Sequence, residues 1–455
     1  MPKKTESIQR RSKWSWYFYD FGNSAYASII LLAVYSPFFK ETVVGGAKGT
    51  QLWSIAVGVA AAIVAVLSPL LGTIADFTRF KKQFLVIFTS LSVVFTGLLF
   101  FVRVGNVFIG MFFFILAEVG YRAGQLFYDA LLTDVSTSET IGTISGNGWA
   151  FGMIGGILAL VIVIPVTLIG DHMTPFAFPI AALFFLFSAI PSFLWVKERK
   201  KAQGIPAGQN VLSMAFKNLA ETFRSIKEYK EFSKYTISFL FYNNALMMLM
   251  GFAAIIGGTL FGLSQMELII FVVILQVAGA LGALVFGKVA DRYSGKASAL
   301  VSLLLLAFSL FGLFLTTSKP LFFVIGAFAG AFMSAAQTVS RSLVGQLAPP
   351  EHVTEFYGFL SVAGSASSVV GPLVFGAITS AMNNWHINKQ VDGFLAKDSS
   401  LTRELALEMV EKLPAEKYSL LWGIASIVAF VVIGGFLFLL VKPIYANKKQ
   451  ETNVA

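Results

Sequence analysis

Twelve apolar runs, separated by short polar turns, govern what this chain can fold into. They fall at 15–39, 52–75, 83–102, 106–130, 142–169, 175–196, 235–261, 267–290, 297–316, 320–342, 356–382 and 418–441. A run of about 20 apolar residues crosses about 30 Å of hydrocarbon as a helix. No water reaches the backbone there, so each run must satisfy its own N–H and C=O groups. The composition agrees, with 56% hydrophobic and 13% charged residues against about 25% charged in soluble domains. The 46 Phe suit a lipid-facing surface, and the 40 Gly let helices approach closely. An all-α membrane protein with twelve transmembrane helices is expected.

The formal net charge of +10 would suggest nucleic acid in a soluble chain. Here Lys and Arg gather in the N-terminal tail, the turns after the second and eighth spans, the central stretch 197–234 and the C-terminal tail. These segments share one side of a twelve-span topology. Positive charge marks the cytoplasmic side, so both termini are expected there, in a multi-pass protein of the plasma (cell inner) membrane. The charge is then topological, with the lipid bilayer and not nucleic acid as its partner. The first span starts near Trp14 and runs too long for a cleavable signal.

Several chemistries are not expected. The chain has no cysteine, hence no disulfide or thiolate site. His172, His352 and His386 are scattered between spans, which predicts no metal site. Gly142, Gly146, Gly148, Gly152, Gly155 and Gly156 follow no strand and precede no Gly-Lys-Ser, so they form a packing face and not a nucleotide loop. With no nucleophile–base pair in view, neither an enzyme nor a cofactor is expected.

Two spans end alike. Gly72-Thr-Ile-Ala-Asp76-Phe-Thr-Arg79 closes the second, and Gly287-Lys-Val-Ala-Asp291-Arg292 closes the eighth, each running into a basic turn. The repeat divides the chain into a six-helix bundle at 1–196, a linker at 197–234 and a second bundle at 235–455. Within the linker Leu212, Phe216, Leu219, Phe223 and Ile226 make one apolar stripe. That stripe fits a helix lying on the membrane face or packed between domains. The segment 383–417 is expected to be a long outer loop, with Leu401, Leu405, Met409 and Leu413 at helical spacing. It can be a lid or an inert insertion.

Twelve spans with this repeated turn resemble the major facilitator superfamily. Trp16-Tyr-Phe-Tyr19-Asp20-Phe-Gly-Asn23, Phe127-Tyr128-Asp129, Ile144-Ser-Gly146-Asn-Gly148-Trp149, Gln337-Thr-Val-Ser340-Arg341 and Glu355-Phe-Tyr-Gly358 narrow the resemblance. Together they are similar to the vacuole-effluxer-like family, whose fungal members release amino acids from the vacuole. The resemblance implies a fold of two six-helix pseudo-repeats. It also implies a conformational latch at Gly72, Asp76, Arg79, Gly287, Asp291 and Arg292 that joins the halves when the cytoplasmic side is closed. One departure is Tyr242-Asn243-Asn244-Ala245, where the family tends to an acid and a glycine at the last two positions. An amide there does not titrate near neutral pH.

The most informative span is the fourth. Glu118, Arg122, Gln125 and Asp129 form one polar stripe. A charge at mid-membrane costs at least about 3 kcal/mol, so the stripe must face a partner or a watery cavity. Two readings stand, a cavity wall or a self-neutralised Glu118–Arg122 lock. Asp20 and Asn23 in the first span, Tyr242, Asn243 and Asn244 in the seventh and Gln337 in the tenth are further candidates for solute contact. Each also has a helix-bridging reading. Asp20 and Glu118 are the candidates for carrying a coupling proton. Arg341 sits at the end of the tenth span, where gating, lipid contact and anion binding compete.

These residues favour a monomeric secondary transporter of a small polar solute, an amino acid first, working by alternating access. An efflux pump for amphipathic compounds is the alternative within this class. A non-transporting receptor or scaffold is the alternative outside it.

Overall fold

A computed structural model describes residues 2–44, 46–199, 229–397, 402–405 and 415–442. Its twelve principal helices are α1 Pro2–Tyr26, α2 Gly46–Thr78, α3 Lys81–Leu98, α4 Val107–Ala130, α5 Ile141–Leu168 and α6 Ala177–Trp195. The second half comprises α7 Lys230–Phe261, α8 Gln265–Arg292, α9 Gly295–Gly312, α10 Lys319–Leu347, α11 Val353–Lys397 and α12 Ala415–Leu439. Twelve helical segments among the described residues are long and apolar enough to cross a membrane. Large side chains such as Val66, Phe108, Leu168 and Phe308 lie outward on them, as a lipid solvent requires.

Local chemistry sets the ends. Ser264 and Glu267 form a capping box at the start of α8, and Lys319 at the start of α10 pairs with Glu267 at 3.0 Å. Gly262 closes α7 at φ 62°, the left-handed position that glycine takes without strain.

The halves meet through two helix pairs related by the internal repeat, α2 with α11 and α5 with α8. Both pairs come closest at the face that carries the basic turns and both ends of the bundle, here called the basic face. A Cβ added to Gly72 would meet the Thr354 carbonyl at 2.8 Å, and one on Gly287 would meet the Gly142 carbonyl at 2.5 Å. Farther across, a Cβ on Gly58 of α2 or Gly364 of α11 would meet nothing within 4 Å.

Three expectations change. The first span is not one regular helix. After Tyr26 it passes into π-helical turns at Ala27–Ala33, and again at Phe38–Val44. Pro37 lies between them and has no N–H for the Ala33 carbonyl, which disfavours a continuous α ladder. The outer loop begins late, because α11 runs on through residues 383–397. Val391 is fully buried there among Ile387, Phe394 and Leu395, and the His386 ring stacks on Tyr418 at 4.7 Å. His386 is therefore helical. The linker stripe at 212–226 and most of 398–414 lie outside the described residues.

Candidate functional site

The site grows from two antiparallel helices, α1 and α4, whose polar residues face each other in three rungs. The outermost rung is Tyr26, stacked on Tyr121 at 4.5 Å, beside Glu118 and Arg122. The middle rung is Asn23, whose Nδ2 donates to Gln125 Oε1 at 2.6 Å. In the innermost rung Asp20 and Asp129 both approach Arg341 of α10. Gln125 Nε2 donates onward to Asp129 Oδ1 at 3.0 Å, so the rungs form one chain.

Of the two readings of the α4 stripe, the structure shows the pair that the lock requires. Arg122 Nε lies 2.5 Å from Glu118 Oε1, so the intrahelical pair forms. Glu118 is 0% exposed, yet Arg122 keeps 23% of its side chain open. Asp129, on the same face about two turns beyond Arg122, reaches across to α10 of the other half. The inner end of the stripe therefore contacts the other half. Glu118 Oε2, Asn23 Oδ1 and Tyr26 OH are buried without a hydrogen-bond partner. Such groups are costly unless something binds them.

The residues from the second half are mostly committed elsewhere. Tyr242 OH pairs with Ser340 Oγ at 2.7 Å. Asn244 Nδ2 donates back to the Leu240 carbonyl at 2.6 Å and lies 3.3 Å from Ser367 Oγ. These contacts tie α7 to α10 and α11 and occupy the Tyr242 hydroxyl, while Asn244 Oδ1 is buried without a hydrogen-bond partner. Asn243 is buried and Gln337 half-buried, and no hydrogen bond joins either side chain to a described residue. They remain available.

The residue that sequence reasoning ranked too low is Arg341. It is buried at the junction of the halves. Its Nε donates to Ser145 Oγ at 3.0 Å and its Nη2 to the Ser145 carbonyl at 2.8 Å, both on α5. Nη1 lies 3.2 Å from Asp129 Oδ1 and 3.6 Å from Asp20 Oδ2. Trp16, Tyr128 and Trp149 enclose the guanidinium at 5.0, 5.6 and 5.5 Å, a cation–π cage drawn wholly from the other half. Two unmatched acids in the first and fourth spans were the signal that a cation from the second half was needed.

Nearer the basic face lies a reciprocal latch. Asp76 at the end of α2 accepts from Thr354 N at 2.8 Å, Glu355 N at 3.0 Å and Thr354 Oγ1 at 2.6 Å. Asp291 at the end of α8 accepts from Gly142 N at 2.7 Å and Thr143 N at 2.6 Å. Each carboxylate therefore caps a helix N-terminus of the opposite half, where free N–H groups and the dipole favour an anion. Arg79 and Arg292 do not cross between the halves, which corrects their inclusion in the latch. The Arg79 guanidinium donates to the Glu198 carbonyl of its own half, and Arg292 stacks over Tyr293. Lys81, unnoticed in the sequence, supports the latch from beneath, 3.7 Å from Asp76 and 3.6 Å from Asp134.

His352 adds a pH dependence to this interface. Its Nδ1 lies 3.0 Å from Glu355 Oε2, and that hydrogen bond holds the imidazole above its usual 6.5. A raised histidine stabilises the folded protein fully below 6.5 and loses that contribution as pH climbs through the raised value. His352→Gln is therefore expected to lower the melting temperature most in mildly acid buffer and to converge on wild type in alkaline buffer. Thermal melts across pH, in detergent, check this.

Among the described residues no group of three or more His, Asp or Glu could hold a metal ion. What the geometry provides is a polar chain between two bundles, sealed at one face. Comparisons with known proteins place the chain in a family. The profile of the family described as vacuole effluxer Atg22 like matches residues 50–388.

The chain belongs to this family.

An uncharacterized MFS-type transporter of Bacillus subtilis (strain 168), YxiO, is 28% identical over 382 residues, covering 81% of this chain and 88% of that one. Autophagy-related protein 22-1 of Aspergillus niger is 25% identical over 262 residues, covering 52% of this chain and 42% of its own length. The chain thus spans less than half of that fungal relative. Among solved structures, the human organic anion transporter MFSD10 matches with a TM-score of 0.70 at 12% identity, covering 94% and 99% of the two chains. A bacterial homologue of the iron transporter ferroportin in an outward-facing state matches at 0.66 and 13% identity, covering 95% and 98%. These likenesses establish the major facilitator fold, and the relatives are transporters, not enzymes.

Proposed function

We propose that this protein is a secondary transporter that moves a small zwitterionic solute, an amino acid first, between its two halves by alternating access. One observation carries the reading. Arg122 stands in mid-span with 23% of its side chain open, on the same helix stripe as Asp129, which reaches the opposite half. It neighbours the buried, unpartnered Glu118 Oε2 and Tyr26 OH, with Asn23 Oδ1 one turn below. The guanidinium suits a carboxylate, and the acceptor oxygens suit an ammonium group. Asn243 and Gln337 are the contributions we assign to the second half. The basic face is the cytoplasmic one by its Lys and Arg content, which puts both termini in the cytoplasm of a cell whose inner membrane holds the protein. In this state the cytoplasmic side is the closed side.

Counterflow in proteoliposomes with a labelled amino-acid panel tests the reading. At least one member should exchange. A charge-assisted contact contributes about 1.5–3 kcal/mol, so Arg122→Ala combined with Glu118→Gln should lower that exchange roughly ten- to hundredfold while the protein still folds. The pair is changed together so that no lone charge remains. No exchange of any amino acid, with lipophilic dyes moved instead, would replace this reading with efflux of amphipathic compounds.

A further inference from the structure

The charges that close the basic face do not balance. Arg341 offers one positive charge, and three of its five N–H groups make hydrogen bonds. Nε and Nη2 serve Ser145, and Nη1 serves Asp129 at 3.2 Å. Asp20 Oδ2 is left buried 3.6 Å from that same Nη1, beyond hydrogen-bond length, with the neutral Tyr128 hydroxyl beside the carboxyl group. Two carboxyl groups therefore face one guanidinium nitrogen. Among the described residues, the other elements packed against them bring no second cation. Tyr128 of α4 and Trp16 of α1 stack on each other at 4.3 Å. Tyr357 of α11 donates to the Arg341 carbonyl at 2.7 Å, and α5 contributes Ser145 and Trp149. In so enclosed a place a second ionised carboxylate has nothing to compensate it.

We propose that Asp20 and Asp129 together hold one exchangeable proton whenever Arg341 is docked between them, and that this proton is the transporter's coupling ion. The inference rests on the transport reading above and adds the residues that take the ion. Asp129, whose side chain is 22% exposed against 7% for Asp20, provides the exchange path. When the basic face opens, Arg341 leaves with the second half. The carboxyl group then gives its proton to water, and both carboxylates become hydrated. Gln125 links this pair to the solute rung, since it accepts from Asn23 and donates to Asp129. Glu118 is matched by Arg122 and is not the proton carrier.

The closed state then binds one proton more than the state open at the basic face. The ratio of closed to open molecules should fall tenfold for each unit rise in pH, the slope of a single-proton linkage. Because the native chain has no cysteine, two can be introduced at the exposed Gln83 and Tyr293, one in each half. Spin labels there report the inter-half distance in nanodiscs without any solute. The background carries His352→Gln, to remove the other titratable group of this interface. We expect the single-proton slope in that background, and a flat, closed profile in both Asp20→Asn and Asp129→Asn. A flat profile with both acids intact would overturn the proposal, as would a slope that persists in either variant. The readout needs no substrate, so it stands or falls separately from the amino-acid counterflow. If a variant does not fold, the other one decides.

Discussion

Arg341→Ala should be among the most damaging single substitutions in this protein, at a cost of about 3–5 kcal/mol, the range for removing one partner of a buried ion pair. The change strips the cation from Asp20 and Asp129 and leaves the carbonyl and hydroxyl of Ser145 without their donors. It also empties the cage of Trp16, Tyr128 and Trp149. The loss appears only where the halves are closed on the basic face, because the cage belongs to one half and the arginine to the other. A lowered melting temperature together with a shift of the inter-half distance toward the open state is the expected result. Arg341→Lys should recover part of it, since it restores the charge but not the forked contact to Ser145.

Gly146→Val should act on the same equilibrium by sterics alone. A Cβ at Gly146 would meet the Ala283 carbonyl oxygen at 2.2 Å, and Ala283 lies on α8 of the other half. Overpacking costs about 1–3 kcal/mol, which is a roughly five- to hundredfold loss of the closed population. Each bundle can still fold, because the clash lies between them. Gly155→Val is the matched control. Its Cβ would meet the Phe21 carbonyl oxygen at 2.1 Å, inside the first half, so folding yield should fall instead. Spin-label distances for the first and expression with size-exclusion profiles for the second separate the two outcomes.

Much of the architecture was legible because a bilayer leaves the backbone few choices. The twelve apolar runs became twelve spans, and the repeated Gly-x-x-x-Asp turns marked two halves that meet through α2–α11 and α5–α8. The α4 stripe was legible as a stripe. Its meaning was not, since the spacing of Glu118 and Arg122 fits a lock and a cavity wall equally. The π-helical turns around Pro37 and the extension of α11 to Lys397 escaped, because hydropathy reads length and polarity and not helix gauge.

The residues that close the basic face lie on helices far apart in the sequence. Asp76 and Asp291 were visible as a repeated motif, but their donors at Thr354, Glu355, Gly142 and Thr143 were not. A helix N-terminus becomes an anion site only when another element brings an anion to it. Gating, lipid contact and anion binding all fitted Arg341 at the end of the tenth span, and its contacts with Asp20, Asp129 and Ser145 depend on the fold.

Sequence alone settled the solvent, the number of crossings and the internal repeat, because those depend on apolar length and on local periodicity. Only the tertiary structure decided which charges are paired, which are left over and where the bundles touch. Electrostatic balance in a buried site depends on distances of a few ångströms between segments that the chain order keeps apart.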